Sequence, residues 1–94
     1  MPTLQDIVNL GDAISHPLRI KILKMLLDRE MSVYELAKEL GISRQLLYLH
    51  LKKLEKAKLV ESDLRLEGSR AKKYYRTKHF NFSINNDVIR NLEV

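Results

Sequence analysis

Ser32–Lys58 reads SVYELAKELGISRQLLYLHLKKLEKAK, and its capping and turn residues divide it into two short helices. Ser32 is followed three residues later by Glu35, the spacing of a capping box. It opens a helix over Val33–Leu40 whose buried side would hold Val33, Leu36, Ala37 and Leu40. Gly41 stops that helix, and Ser43 caps a second one running from Arg44 to about Lys58. Only Gly41-Ile42-Ser43 separates the two. Helices that cross this closely need a small residue at the contact, here Ala37, and a sharp turn, here Gly41. Ile42 and Leu47 would lock the crossing from below. Ala37, Gly41 and Leu47 stand in the pattern A-x3-G-x5-L.

Two helices joined in this way form a helix-turn-helix, and the flanking sequence extends it. Upstream, Thr3 can cap a helix over Leu4–Ile14. Ser15-His16-Pro17 then punctuates the chain, with Ser15 as a cap and Pro17 in the first turn of a helix that runs to about Arg29. Leu18, Ile22, Met25, Leu26 and Ile20, Leu23, Leu27 give that helix two apolar stripes, so it should be central to the core. Downstream of Leu59 the apolar period falls from about 3.6 to 2. Val60, Leu64 and Leu66 alternate with charged residues as in a half-buried strand. Gly68-Ser69-Arg70 reads as a hairpin tip, and Ala71–Ile84 as the returning strand, with Phe80, Phe82 and Ile84 on one face. Asn85-Asn86 is a turn or cap before a short helix over Asp87–Val94. The fold class is mainly α with a small β-hairpin, in the order α-α-α-α-β-β-α. Residues 1–94 make one winged helix-turn-helix domain, with the helix-turn-helix at 33–58, the wing at 59–84, and self-association helices at 1–14 and 85–94.

Charge locates the partner. The net charge is +5. Residues 1–40 carry 5 basic and 6 acidic side chains, residues 41–80 carry 11 and 4, and residues 81–94 carry 1 and 2. A basic block within a folded domain points to a polyanion. With no cysteine, disulfide scaffolds, thiolate zinc sites and cysteine nucleophiles are excluded. No apolar run approaches the roughly 18 residues of a membrane span. No secretory signal is evident, so a cytoplasmic location and no membrane partner are expected.

The stretches SHPLRIKILKMLL (15–27), ELAKELGISRQLLYLHLKKLEKAKLVES (35–62) and EGSRAKKYYR (67–76) resemble the ArsR family of winged-helix transcriptional regulators. The resemblance implies binding of duplex DNA as a symmetric homodimer, often at operators. It implies that Arg44 to Lys58 is the recognition helix and Gly68 to Lys73 the wing. It also implies that the first and last helices form the dimer, through Leu4, Ile7, Val8, Val88, Ile89 and Leu92.

Helix geometry gives a separate test of the recognition helix. At about 100° per residue, with Leu47 at zero, Leu51 lies near 40° and Leu54 near −20°, forming the core stripe. Gln45, Leu49, Lys52 and Lys56 fall at the opposite pole, flanked by Tyr48 and Lys53. Gln45 near the helix start can pair with adenine, and Leu49 can meet a thymine methyl or a protein surface. Ser43, Arg44 and Tyr48 can reach bases or phosphates, while Lys52, Lys53 and Lys56 suit the backbone. On the wing, Arg70, Lys72 and Lys73 surround a tip that can approach phosphates or a minor groove. Arg65 and Arg76 lie on the strands. Tyr74 and Tyr75 point to opposite faces, one of them into the core.

Metal-sensing members of the family use cysteines, or Asp and His pairs on the last helix. Neither is present, and His16, His50 and His79 lack ligand spacing. No metal or cofactor is expected, and His50, beside the core stripe, should be oriented by hydrogen bonding. The family pattern has a small hydroxyl residue where Tyr48 stands and a Gly where Lys58 stands. Lys58 therefore implies either a different helix end or a costlier backbone. No catalytic arrangement is present, so the chain is not read as an enzyme. Two other readings use the same residues: a winged-helix protein-interaction module, motivated by Leu49, and non-specific chromatin-type coating of DNA, motivated by the basic block.

Overall fold

The computed structural model describes residues 2–94. The chain runs α1 (Leu4–Ile14), α2 (Pro17–Asp28), β1 (Met31–Ser32), α3 (Val33–Leu40), α4 (Arg44–Lys56), β2 (Val60–Glu67), β3 (Arg70–Thr77) and α5 (Asn86–Arg90). Local hydrogen bonds fix the helix starts. Thr3 and Asp6 form a reciprocal capping box on α1, and Ser32 and Glu35 form another on α3. Ser43 accepts from the Leu46 N–H at 3.1 Å. The cap of α2 is His16, not Ser15: its Nδ1 accepts from the Leu18 N–H at 3.0 Å. Pro17 takes the first helical position, so the residue before it is the cap. Ser15 instead closes α1 by donating its hydroxyl to the Asp12 carbonyl.

α3 and α4 end alike. The Gly41 N–H donates to the Lys38 carbonyl and the Ile42 N–H to that of Ala37. The Lys58 N–H donates to the Glu55 carbonyl and the Leu59 N–H to that of Leu54. Both are Schellman ends with one left-handed residue, Gly41 at φ 66° and Lys58 at φ 62°. The α4 helix thus stops at Lys56 rather than about Lys58, and lysine occupies a conformation costing about 1 kcal/mol without glycine.

The sheet is antiparallel in the order β1-β3-β2. β1, which the sequence reading lacked, pairs Met31 with Tyr75 and Ser32 with Tyr74. β2 and β3 pair from Val60–Thr77 out to Glu67–Arg70, so the tip is Gly68-Ser69 and Arg70 belongs to the ladder. β3 ends at Thr77 and not at Ile84. Because β2 begins at Val60, residues beyond Thr77 have no opposite residue on that edge. The Lys78 N–H still donates to the Leu59 carbonyl. Phe80, Phe82 and Ile84 then follow in a segment with neither helix nor strand. α5 is confined to Asn86–Arg90, capped by Asn85.

The core lies where α1, α2, α3 and α4 meet the base of the sheet. Ile22, Leu36, Leu47, Leu51, Leu54, Leu59 and Tyr75 are fully buried in it. The buried stripe of α2 is Arg19, Ile22, Leu23 and Leu26, and Ile20 and Leu27 face outward. Leu40 is half-buried. Leu64 and Leu66, expected to be half-buried, are 70% and 82% exposed. They lie on the core-facing side of β2, but the wing extends past the helices.

Candidate nucleic-acid interface

The α4 helix turns Leu47, Leu51 and Leu54 into the core and leaves Gln45, Leu49, Lys52 and Lys56 exposed on its far side. Ser43 is committed to the cap. Arg44 and Tyr48 flank the exposed pole on the side of the wing. The Arg44 guanidinium stands 5.7 Å from the centre of the Tyr34 ring, a cation–π distance that holds it near the start of the helix. On the other flank, Lys53 donates to Asp12 of α1 at 2.7 Å. That pair is exposed and so contributes about 1 kcal/mol at most.

The wing has two chemically different faces. On the outer face, Arg65 forms two hydrogen bonds with Glu30, at 2.6 and 2.8 Å, and a third with Asp63. Arg76 pairs with Asp63 and Glu61, and Lys72 lies 3.3 Å from Glu67. Tyr74 also donates to Glu67. Hydrogen bonds from Arg76 and Arg65 hold Asp63 below the usual carboxylate range. The inner face, toward α4, differs. Lys73 stands 5.8 Å from the Tyr48 ring and 5.3 Å from the Tyr75 ring. Tyr75, the buried member of the tyrosine pair, donates to Glu55 of α4 at 2.8 Å. Among the described residues, Arg44, Lys52, Lys56, Arg70 and Lys73 form no ion pair with a carboxylate. Five of the cations without a carboxylate partner thus cluster here, on α4, the inner face of the wing and its tip, and Lys21, Lys24, Lys38, Lys58 and Lys78, also without one among the described residues, lie elsewhere on the chain.

Behind the α4 helix lies a polar node that the sequence reading missed. Arg19 is buried. Its Nε donates to the Ala13 carbonyl at 2.9 Å, and Nη2 to the Asp12 carbonyl at 2.8 Å and the Ser15 hydroxyl at 3.2 Å. Nη1 lies 3.0 Å from Nδ1 of His50. Arginine can only donate, so His50 Nδ1 is the acceptor and the ring is neutral with its proton on Nε2. His50 was expected to be oriented by a hydrogen bond, and Arg19 supplies it. Burial first, then His16 (ring centroids 4.8 Å apart) and Arg19, lower the His50 pKa below its ordinary value of 6.5. The unfolded chain therefore takes up this proton first as pH falls. The contribution is complete above about pH 6.5 and is lost below it. Thermal midpoints measured from pH 7 to 5 should fall, and His50→Asn, which keeps an acceptor near Nδ1, should flatten the decline. An unchanged decline would assign it to other groups.

The residues expected at a self-association surface divide between two places. Leu4 and Val8 are about half exposed on α1, with Ile7 half-buried, and Ile89 is exposed on α5, with Val88 and Leu92 half-buried. Phe82 and Ile84, in the segment before α5, line a crevice with Pro2, Ile7 and Leu10 at α1. Among the described residues, no group of three or more His, Asp or Glu side chains is placed to hold a metal. Among the described residues, no helix is long and apolar enough to cross a membrane.

Comparison with known proteins bears on this arrangement directly. The family model for bacterial regulatory proteins of the arsR family matches residues 16–62. The uncharacterized HTH-type transcriptional regulator MJ0229 of Methanocaldococcus jannaschii is 55% identical over 89 residues, covering 95% of this chain and 94% of the relative. The chain belongs to the arsR family of bacterial regulatory proteins. The arsR family is one of DNA-binding transcriptional regulators and not of enzymes. Solved structures agree on the fold. HlyU from Vibrio cholerae matches with a TM-score of 0.65 at 35% identity, over 79% of this chain and 76% of that one. A homodimeric winged helix-turn-helix DNA-binding domain from Mycobacterium bovis, Mb0332, matches with a TM-score of 0.67 at 30% identity, over 79% of this chain and 65% of that one.

Proposed function

We propose that this arsR-family regulator binds duplex DNA sequence-specifically as a homodimer. The α4 helix enters the major groove and the wing meets the adjacent backbone. The observation that carries this reading is the placement of uncompensated cations. Arg44 of α4 and Arg70 and Lys73 of the wing line one groove, with Lys52 and Lys56 exposed further along α4, while Arg65, Lys72 and Arg76 of the wing are answered by carboxylates. Gln45 at the first exposed turn reads a base, and Arg44 and Tyr48 support it. Leu49 contacts a thymine methyl. Lys53 and Lys72 contribute as rim cations, since an exposed carboxylate partner yields to a phosphate at small cost. Ser43 fixes the helix start whose N–H groups face the backbone.

Self-association through Leu4, Ile7, Val8, Val88, Ile89 and Leu92, with Phe80, Phe82 and Ile84 alongside, is supported by the homodimeric Mycobacterium bovis relative. It presents two α4 helices to half-sites about 34 Å apart. No metal or cofactor enters this reading, and the location it implies is the cytoplasm.

Selection of bound sequences from a random duplex pool tests the reading, with light scattering of the free protein alongside. Wild type should return an inverted repeat and scatter as a dimer. Gln45→Ala should relax one position per half-site, with a loss of about 1–3 kcal/mol of discrimination there. Equal affinity for every duplex would favour non-specific coating. No duplex binding at moderate salt would favour a protein-interaction module. A monomer at micromolar concentration would remove the dimer.

A further inference from the structure

A groove of about 470 Å³ runs between the start of α4 and the inner face of the wing, lined among others by Arg44, Tyr48, Leu64, Arg70, Ala71 and Lys73. Its chemistry is mixed in a particular way. Arg44, Arg70 and Lys73 supply cations without carboxylate partners among the described residues. Leu64, Ala71 and the neighbouring Leu66 supply an apolar wall. Cross-strand register places Leu64 opposite Lys73 and Leu66 opposite Ala71 on this face. Two leucines exposed by 70% and 82% on a strand bordered by cations are unfavourable in water. They fit an occupant that is anionic along one edge and apolar along the other.

A sugar–phosphate strand has that character. When one element occupies a major groove and its neighbour the adjacent minor groove, the strand dividing the grooves must pass between them. We infer that this groove holds one backbone strand of the duplex, with its phosphates toward Arg44, Arg70 and Lys73 and its deoxyribose rings against Leu64 and Leu66. These two leucines then select deoxyribose over ribose. The C2′ methylene of deoxyribose packs on leucine without loss, whereas a ribose 2′-hydroxyl pressed against the same wall gives up water and gains no partner. The cations supply affinity for any backbone, and the leucines make the sugar count. This inference rests on the proposed duplex binding.

The test uses a duplex selected from the random pool by the wild-type protein. Single nucleotides are replaced by ribonucleotides, one position at a time, and affinity is measured by fluorescence anisotropy. Wild type should lose roughly tenfold in affinity at one or two adjacent positions per half-site, within the usual cost of an unpartnered buried polar group. Leu64→Ser and Leu66→Ser should weaken binding of the all-deoxy duplex, as the lost sugar contact requires, yet bring the ratio of all-deoxy to ribo-substituted affinity at those positions close to one. Both residues are exposed, so thermal midpoints should match wild type and confirm that the variants fold. A flat profile for wild type, or a penalty that persists in both variants, overturns the inference and leaves the duplex-binding reading standing. Failure of wild type to bind any duplex overturns that reading, and this inference with it.

Discussion

Replacing Arg19 by methionine should lower the thermal midpoint by roughly 15 °C at fixed protein concentration, the equivalent of about 3 kcal/mol in a domain of this size. Methionine fills much of the same volume, so the loss is one of hydrogen bonds and not of packing. Arg19 answers the Asp12 and Ala13 carbonyls at the end of α1, the Ser15 hydroxyl and His50 Nδ1 at once. Without it, His50 keeps a buried acceptor with no donor, and the end of α1 loses the cation that complements its dipole. Arg19→Lys should recover only part of the loss, because a single ammonium cannot span the same acceptors. A shift below about 4 °C for Arg19→Met would mean that water replaces the guanidinium and that the node contributes little.

The largest effect on binding should come from Lys52→Ala, Lys56→Ala and Arg70→Ala combined. Each phosphate contact adds about 0.9 to the slope of log affinity against log salt. Three contacts on each of two protomers correspond to a slope reduced by about 5. By the same relation, affinity at 0.1 M salt should fall at least a thousandfold for every duplex alike. All three side chains are exposed, so the midpoint should not move. Equilibrium titrations between about 0.05 and 0.3 M salt check both quantities. An unchanged slope would show that these cations do not meet phosphates.

The parts of the fold that short-range rules govern were legible in the sequence. Thr3, Ser32 and Ser43 mark helix starts, Gly41 marks a stop, and Gly68 marks the wing tip, because each solves a local backbone problem. Alternation was less informative. In Leu64 and Leu66 it reports which face of a strand a residue takes, not whether anything covers that face. In Phe80, Phe82 and Ile84 it falls in a segment with neither helix nor strand. A two-residue strand such as Met31–Ser32 has no period at all. Arg19 did leave a signal: Arg19, Ile22, Leu23 and Leu26 stand at i, i+3, i+4 and i+7, a buried stripe that begins with an arginine. Of the candidate interface, the α4 pole was readable from helix geometry. The division of the wing cations was not, because Glu30, Asp63 and Glu67 reach them through tertiary or cross-strand contacts.

The wing behaves as a beam clamped at one end. Tyr75 on Glu55, Arg65 on Glu30 and the β1 pairing hold its root. The three residues from Arg65 to the Gly68 turn overhang by about 10 Å. A tilt of about 10° at the clamp carries such a tip by less than about 2 Å. In the proposed complex, duplexes whose minor grooves differ in width would then be met by flexing the beam at its root. Groove shape would be registered there as bending energy, separately from the bases read by α4.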